Sequence, residues 1–238
     1  MSEIKTVGID IGSSKAVIVS DDADLVRTAT GGISRASMVG FYGSTRLVGE
    51  EAAPQVNSGD ILVQLNRFLD GKSIDELSTS ALHAHRKSKF SMDASNRLCV
   101  DVTYMDEAKT ISYTALLALY LKAQVARIDD VHPQKVNLAF VLPPNASMTS
   151  SRTLRDACTI AGVDLARCCT VNKADALTAS YERKLTGLPI ETRTAMYNKH
   201  TVIIEVGHSQ TTILAVKVNK IEDEKERKKR IEMGEVEG

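Results

Sequence analysis

The chain has 238 residues, 43% of them hydrophobic, and its 30 basic side chains are matched by 30 acidic ones. This length suits one large domain or two small ones, and the balanced charge with few aromatic residues gives no support for binding nucleic acid or a membrane surface. The chain has no bilayer-spanning apolar run, no apolar signal-peptide core and no disulfide-type cysteine spacing. We therefore expect a cytoplasmic protein whose partners include neither nucleic acid nor a membrane.

Short apolar runs separated by turn residues occupy the first half of the chain. Residues 4–19 predict a strand, a tight turn at Gly12 and a second strand, because two β-branched runs flank small residues. The leucines of Ile61–Leu69 recur at helical spacing and predict a helix that ends at Gly71. The remaining predictions for this half are a strand at Ser37–Tyr42, a strand leading into a helix at Arg46–Ala53, and an exposed loop or short helix at Ile74–Ser95.

The second half alternates helical and strand patterns. Ser112–Ala126 is rich in Ala and Leu and predicts a buried helix of about four turns. Val136–Leu142 predicts a buried strand, which Pro143 ends. The other predictions are a helix from caps at Thr149–Arg152 to Ala161 with Gly162 after its end, a short strand within Val163–Val171, a helix at Lys173–Lys184, strands at Thr201–Gly207 and Thr211–Val218, and an exposed charged segment at Glu222–Arg230.

Two of the predicted turns share one design. Asp10-Ile-Gly-Ser-Ser14 and Glu205-Val-Gly-His-Ser209 each follow an apolar strand, begin with a carboxylate and turn on a glycine beside hydroxyl residues. Such a turn can direct backbone N–H groups at an anion, and the carboxylate can hold a hydrated Mg²⁺ against phosphate oxygens. Either motif alone is more often an ordinary hairpin, but the pair with an α/β pattern between them indicates a clamp for a polyphosphate.

These motifs resemble those of the 70-kDa heat-shock chaperones, within the actin/hexokinase-like ATPase superfamily. The Gly-His-Ser turn is closer to the 110-kDa branch, whose members act mainly as nucleotide-exchange factors and holdases. The resemblance runs in order through Val7-Gly-Ile-Asp-Ile-Gly-Ser-Ser14, Ser37-Met-Val-Gly-Phe41, Arg46-Leu-Val-Gly-Glu50, Phe140-Val-Leu-Pro143, Asp156-Ala-Cys-Thr-Ile-Ala-Gly162 and Val202-Ile-Ile-Glu-Val-Gly-His-Ser209.

The resemblance implies an α/β fold with a ribonuclease-H-like (actin-like ATPase) first lobe, an inserted small α/β subdomain and a truncated second lobe. The implied boundaries are residues 1–39 with 113–186 for the ribonuclease-H-like subdomain, 40–112 for the insertion, and 187–238 for the start of the second lobe. The second lobe is expected to be truncated because no adenosine-pocket motif of the family follows Val218.

The resemblance also implies a ligand and a set of partners. The ligand is ATP or ADP with Mg²⁺, and the partners are other chaperones or client proteins. Asp10 and Glu205 are the implied metal-binding acids. The residues implied to contact the nucleotide are Asp10, Gly12, Ser13, Ser14, Lys15, Glu205, Gly207, His208 and Ser209.

Two departures from the family pattern bear on catalysis. Asn66 stands where the family has the Lys that orients the attacking water, and an amide cannot supply that positive charge. Lys173 stands where the family has a Glu of the metal site, so an ammonium replaces an acid. Alternatives remain open: Asn66 is an exposed helix residue, or Lys173 reaches solvent, pairs with Asp175 or Glu205, or contacts a phosphate itself.

Other candidate groups favour structural roles. We expect Cys168 and Cys169 to fill a core rather than form a redox site, and His208 to be a turn residue rather than a metal ligand. His83 and His85 lie in a polar stretch that favours a solvated loop over a metal site.

We favour a divergent chaperone nucleotide-binding domain in which ATP binding is weak or vestigial and hydrolysis is impaired, acting in protein folding or as a co-chaperone. The alternatives are an active Mg-ATP-hydrolysing chaperone and a scaffold of the same fold that binds no nucleotide. The replaced catalytic residues count against the active enzyme, whereas the retained Asp10, Gly12 and Ser13 count against the scaffold.

Overall fold

The computed structural model describes residues 5–20, 24–28, 31–70, 74, 89–126, 136–144 and 146–218. The chain divides into two compact units, which comprise residues 1–173 with 207–210 and residues 174–206 with 211–238. Both contain strands, and helices lie between them in the chain, so the architecture is mixed α/β.

The described residues contain thirteen strands and four α-helices. The strands are β1 (Lys5–Ile11), β2 (Lys15–Ser20), β3 (Arg35–Ala36), β4 (Met38–Tyr42), β5 (Thr45–Val48), β6 (Asp60–Val63), β7 (Lys89–Met92), β8 (Leu98–Tyr104), β9 (Glu107–Ser112), β10 (Val136–Leu142), β11 (Cys168–Asn172), β12 (His200–Val206) and β13 (Thr211–Lys217). The helices are α1 (Tyr113–Ala126), α2 (Met148–Ala161), α3 (Lys173–Thr186) and α4 (Ile190–Met196), and short 3₁₀ helices include Gly49–Glu51, Ala53–Gln55, Leu65–Phe68 and Leu165–Arg167.

A five-stranded mixed sheet in the order β11-β10-β1-β2-β3 lies in the first unit. Strands β1, β10 and β11 run parallel, whereas β2 and β3 add antiparallel strands on the other side of β1. Val7 and Ile9 of β1 are completely buried, and Phe140 of β10 is the direct neighbour of Ile9. The parallel strands therefore have the apolar character of a sheet covered on its faces.

Helix α1 is the most deeply buried helix of the first unit. It packs against α2 and also against strands of two antiparallel sheets, β5-β4-β6 and β7-β8-β9. Leu117, Tyr120 and Leu121 are completely buried, and burying a leucine of this kind contributes about 1.5–3 kcal/mol relative to exposure. One hydrophobic core therefore connects the helices with all three sheets of this unit.

The second unit contains most of α3, all of α4 and the antiparallel hairpin of β12 and β13. Burial alternates along β12, and its outer face leaves Val202, Ile204 and Val206 largely exposed. The Tyr181 hydroxyl of α3 and the Thr201 hydroxyl of β12 form a hydrogen bond of 3.0 Å. Helix α3 and the hairpin are thus connected within this unit.

Most of the predicted elements are confirmed. The strands of residues 4–19 and 201–218, the strand at Val136–Leu142 and the helices beginning at Ser112 and Lys173 occupy nearly the predicted positions. Helix α2 ends as predicted, with Gly162 in the left-handed conformation, although Ser147 rather than a residue of Thr149–Arg152 caps its start. Among the described residues, no helix has the length and apolar character needed to cross a membrane.

The helix predicted at Ile61–Leu69 is wrong. Its first residues form strand β6, which pairs with β4. Gln64 then takes a left-handed conformation with φ of 55°, and only the 3₁₀ helix Leu65–Phe68 follows. The buried strand and the left-handed residue together explain why the leucine spacing did not produce an α-helix.

Two further predictions are confirmed and one is wrong. Arg46–Ala53 contains a strand followed by 3₁₀ helices, and the short strand predicted within Val163–Val171 occurs as β11, which begins at Cys168. Lys89–Met92 of the predicted loop forms strand β7, which pairs with β8. Residues 75–88 of that loop, including His83 and His85, and the charged segment Glu222–Arg230 lie outside the described residues.

Candidate phosphate-binding site

The turn between β1 and β2 is closed by its own backbone. The Gly12 N–H donates a hydrogen bond of 3.0 Å to the Lys15 carbonyl. A Cβ atom at Gly12 would lie only 2.7 Å from that same oxygen, so a side chain would disrupt the turn. Ser13 is 7% exposed, which leaves its hydroxyl largely enclosed at the tip of this turn.

The turn between β12 and β13 repeats this arrangement. The Gly207 N–H donates a hydrogen bond of 2.9 Å to the Gln210 carbonyl. A Cβ at Gly207 would lie 2.9 Å from that oxygen, so glycine is required for the same reason as at Gly12. The two turns therefore share a backbone hydrogen bond from a glycine to the third residue after it.

The two turns meet through their serine hydroxyls. Residues 207–210 belong to the first compact unit, as does the turn at Gly12. The Ser13 and Ser209 hydroxyl oxygens form a hydrogen bond, although the two residues are 196 positions apart in the chain. The structure thus brings together the two hydroxyl-bearing turns that share a sequence pattern.

Asp10 and Lys173 form an ion pair beside the first turn. The Lys173 Nζ donates to the Asp10 Oδ2 at 3.2 Å, and the lysine side chain is only 12% exposed. Their proximity follows from the sheet, since Asp10 pairs with Val141 on β10 and Leu142 pairs with Asn172 on β11. Because the three strands are parallel, the residues at their carboxyl ends lie at one edge of the sheet.

This ion pair gives Lys173 a partner, Asp10, that the sequence patterns did not indicate. The lysine side chain is 12% exposed, which disfavours the alternative in which it reaches into solvent. Its pairing with Asp175 or Glu205 and its contact with a phosphate stay predictions. A Mg²⁺ ion held by the Asp10 carboxylate would have to replace this ammonium or stand beside it. The residues around Asp10 therefore fit an ammonium and do not fit a divalent cation.

The other predicted metal-binding acid, Glu205, lies on β12 opposite Thr212 and is partly buried. Glu205 belongs to the second unit, and its metal role stays a prediction. Among the described residues, no group of three or more His, Cys, Asp or Glu side chains is arranged to hold a metal ion.

Asn66 lies in the 3₁₀ helix Leu65–Phe68 and is partly buried, so the alternative of an exposed helix residue is wrong. Its Oδ1 atom is buried and has no hydrogen-bond partner among the residues that the structure describes, and the same is true of the Oε1 atom of Gln64. The Tyr113 hydroxyl holds this segment by donating a hydrogen bond of 2.6 Å to the Leu65 carbonyl. No sequence pattern indicated that the Gln64 side chain is buried beside this segment. Its position depends on the left-handed backbone conformation of Gln64, which the sequence does not reveal.

The remaining site residues have simpler environments. The Ser14 carbonyl accepts a hydrogen bond of 3.0 Å from the Ser37 N–H, which connects the first turn to the chain beyond β3. Ser14 is partly buried, whereas Lys15 and His208 are exposed. The exposure of His208 agrees with its predicted role as a turn residue.

The core role predicted for the two adjacent cysteines holds for one of them. Cys168 is partly buried and packs against the hydrophobic core, whereas Cys169 is exposed, so the prediction is wrong for Cys169. The interaction of Cys158 of α2 with the Cys168 thiol raises the pKa of the buried Cys158 thiol, and burial raises it further. The same interaction lowers the pKa of Cys168.

Comparison with known proteins identifies related chaperones. The family model described as Hsp70 protein matches residues 6–222. The chain is 29% identical over 186 residues to Chaperone protein DnaK of Deinococcus deserti, in an alignment that covers 76% of this chain and 28% of that protein. It is 25% identical over 165 residues to Heat shock protein hsp88 of Neurospora crassa, which covers 67% of this chain and 23% of that protein. The alignments thus span about a quarter of the length of these relatives.

Proposed function

This chain belongs to the Hsp70 family, and on that premise we propose that it is a divergent nucleotide-binding domain that binds ATP or ADP weakly and hydrolyses ATP poorly. The observation that carries the proposal is the 3.2 Å ion pair between Lys173 and Asp10. It occupies the carboxylate that the family resemblance assigns to Mg²⁺, and phosphoryl transfer depends on the placement of such a cation.

The replacement at Asn66 supports the same conclusion. A transferring phosphoryl group spreads negative charge over its oxygens, and a positively charged side chain or a metal must stabilise that charge. The amide of Asn66 carries no charge, and removing one such stabilising donor typically costs about 10²–10³ in rate. Weakening both the metal site and the cationic side chain therefore leaves little catalytic capacity.

The two turns supply the proposed contacts to the nucleotide phosphates. The glycines allow the backbone to approach an anion closely, and the serine hydroxyls are neutral donors that suit phosphate oxygens. Glu205 is proposed as a second acid near the nucleotide. The full proposed set is Asp10, Gly12, Ser13, Ser14, Lys15, Glu205, Gly207, His208 and Ser209.

We assign the chain a role in protein folding, either directly or as a co-chaperone. The names of the two relatives, a chaperone protein and a heat shock protein, support this role. Other chaperones and client proteins are the proposed partners, in the cytoplasm. The strand order of the five-stranded sheet supports a ribonuclease-H-like first lobe, with residues 40–112 as the inserted subdomain.

A phosphate-release assay tests the proposed loss of hydrolysis. The wild-type chain is expected to release phosphate from ATP at close to the background rate in the presence of Mg²⁺. Replacing both departures, Asn66→Lys with Lys173→Glu, restores the charges of the family pattern and is expected to raise the rate by at least about tenfold.

Lys184→Glu is the matched control, because Lys184 is an exposed lysine of the same helix, α3. It makes the same charge change away from Asp10 and should leave the rate at background. If the wild-type chain already turns over ATP as fast as the double variant, the proposed impairment is wrong.

A further inference from the structure

We infer that the phosphate cradle, defined as Asp10, Ser13, Lys173 and Ser209, binds its nucleotide as the metal-free anion, with the Lys173 ammonium in the place of a divalent cation. This inference rests on the proposed function, since it specifies the ionic form of the ligand. All four residues lie in the first compact unit and are connected in two pairs by direct contacts.

The Lys173 ammonium is more deeply buried than the carboxylate it pairs with. Lys173 is 12% exposed, whereas its partner Asp10 is 39% exposed, so the charge of the lysine is shielded from water more than that of the acid. A poorly hydrated cation interacts more strongly with an approaching anion than one on an open surface does. The ion pair therefore places a partly buried ammonium at the carboxyl ends of the parallel strands.

Binding of Mg²⁺ at Asp10 would disrupt the ion pair with Lys173. Mg²⁺ requires oxygen ligands at about 2.1 Å in nearly octahedral geometry, so coordination by Asp10 would compete directly with its 3.2 Å bond to Lys173. The ammonium would then lie next to a divalent cation and would no longer be paired with the Asp10 carboxylate. Repulsion between the two cations disfavours a metal complex of the nucleotide here.

The charge of the nucleotide depends on whether Mg²⁺ is bound to it. Mg²⁺ bound to a nucleotide cancels two of its negative charges and weakens its attraction to an ammonium. The hydroxyls of Ser13 and Ser209 already approach each other and can donate to phosphate oxygens without a metal. The Lys173 ammonium and the two serine hydroxyls therefore favour the free anion over its magnesium complex.

Site-resolved nuclear magnetic resonance on the 238-residue chain tests the inference. The amide resonances of Gly12, Ser13 and Gly207 are followed while ATP is added with EDTA, and again while ATP is added with saturating Mg²⁺. Inorganic tripolyphosphate serves as a second probe that lacks the nucleoside. We expect ATP and tripolyphosphate to bind with a Kd at least about threefold lower in EDTA than in Mg²⁺.

Substitutions at Lys173 provide the second measurement. Lys173→Met removes the charge while keeping an unbranched apolar stem, and should weaken binding in EDTA by about tenfold or more. Lys173→Arg keeps the charge and should retain the preference for the metal-free ligand. Lys184→Met, at an exposed site of the same helix, should leave the Kd unchanged.

The outcomes separate the inference from the proposed function. Tighter binding in Mg²⁺ than in EDTA would overturn the inference but leave weak nucleotide binding in place. The same holds if Lys173→Met binds the metal-free ligand as well as the wild type does. If neither form of ATP shifts the three amide resonances, both the inference and the proposed nucleotide binding fail.

Discussion

At Gly12, the backbone of the turn leaves no room for a side chain. The carbonyl of Lys15 accepts the Gly12 N–H and lies where a Cβ at this position would be, 2.7 Å away. A flexible side chain could move aside, but this neighbour is a backbone oxygen fixed between two strands of the main sheet. Any side chain at this position would therefore force the backbone of the turn to shift.

We predict that Gly12→Ala lowers the free energy of unfolding by about 1–3 kcal/mol, the range expected when atoms are forced into a closely packed site. Alanine also lowers the conformational entropy of the unfolded protein relative to glycine, and this effect offsets only about 0.4–1 kcal/mol of the cost. Urea unfolding followed by circular dichroism measures the change.

Gly8→Ala is the matched control for this substitution. Gly8 lies on β1, the strand that leads into this turn, but its added Cβ would meet only the Val19 carbonyl oxygen at 3.9 Å, an ordinary contact. This variant should be as stable as the wild type or slightly more stable. Equal stability of the two alanine variants would contradict the close approach at Gly12.

Most of the individual site residues could be predicted from the sequence. Both glycines, both serines and the charge reversal at Lys173 were identified from motif patterns. The partner of Lys173 was not, because its contact with Asp10 depends on the order β11-β10-β1 of the parallel strands. Motif spacing identifies residue types, whereas pairing between distant strands determines which side chains meet.

At the scale of elements, the start of helix α2 is held by a carboxylate from another segment. Asp70 Oδ1 accepts hydrogen bonds from the Ser147 N–H at 3.1 Å, from the Ser147 hydroxyl at 2.9 Å, and from the Ser150 hydroxyl. The Ser147 hydroxyl in turn accepts from the Thr149 N–H and caps the helix. A negative charge beside the unpaired N–H groups of a helix start is stabilising.

We predict that Asp70→Ala destabilises the protein by about 2 kcal/mol, because it removes the shared acceptor of three donors together with the favourable charge. Asp70→Asn keeps an acceptor oxygen without the charge and should cost less. Urea denaturation of both variants gives the two values.

Asp156→Ala is the control on the same helix, since Asp156 is an exposed aspartate further along α2. Its loss should change stability by less than about 0.5 kcal/mol. An Asp70→Ala variant no less stable than Asp156→Ala would show that the external carboxylate does not hold the helix start.

Elements differed in how well their sequence predicted them. Helix α1 and strand β10 were predicted correctly because composition, length and flanking residues agree. Ile61–Leu69 was not, because β6 pairs with a strand some 20 residues earlier and Gln64 leaves the right-handed region. The cap by Asp70 was equally invisible, since Asp70 and Ser147 are 77 positions apart.

At the scale of the whole molecule, the candidate site joins segments from near both ends of the described chain. The first unit contains residues 207–210 together with the turn at Gly12, and the Ser13–Ser209 hydrogen bond is the contact between them. The paired motifs allowed a clamp to be predicted, and the matching turns carry the same backbone bond. The Ser13–Ser209 contact joins residues 196 positions apart and so closes a large loop of the chain. The contribution of this contact to the free energy of unfolding should be measurable as coupling between substitutions at Ser13 and Ser209.

A double-mutant cycle with Ser13→Ala, Ser209→Ala and the combined variant measures that coupling. Each single substitution breaks the same hydrogen bond, so we predict that the double variant loses less stability than the sum of the two single variants. The expected coupling is about 0.5–1.5 kcal/mol, the net value of a typical hydrogen bond. Urea unfolding of the four proteins at equal concentration gives the four free energies.

Ser151 provides the control pair with Ser13. The Ser151 hydroxyl bonds to the Thr170 hydroxyl at 3.2 Å, whereas the Ser13 hydroxyl bonds to that of Ser209, so the two serines have different side-chain partners among the described residues. Ser13→Ala and Ser151→Ala should therefore add within about 0.5 kcal/mol. If the Ser13–Ser209 pair is equally additive, the hydroxyl contact does not connect the two turns energetically. A coupling seen only for Ser13 with Ser209 would instead establish that the two phosphate-type turns stabilise one another before any ligand binds.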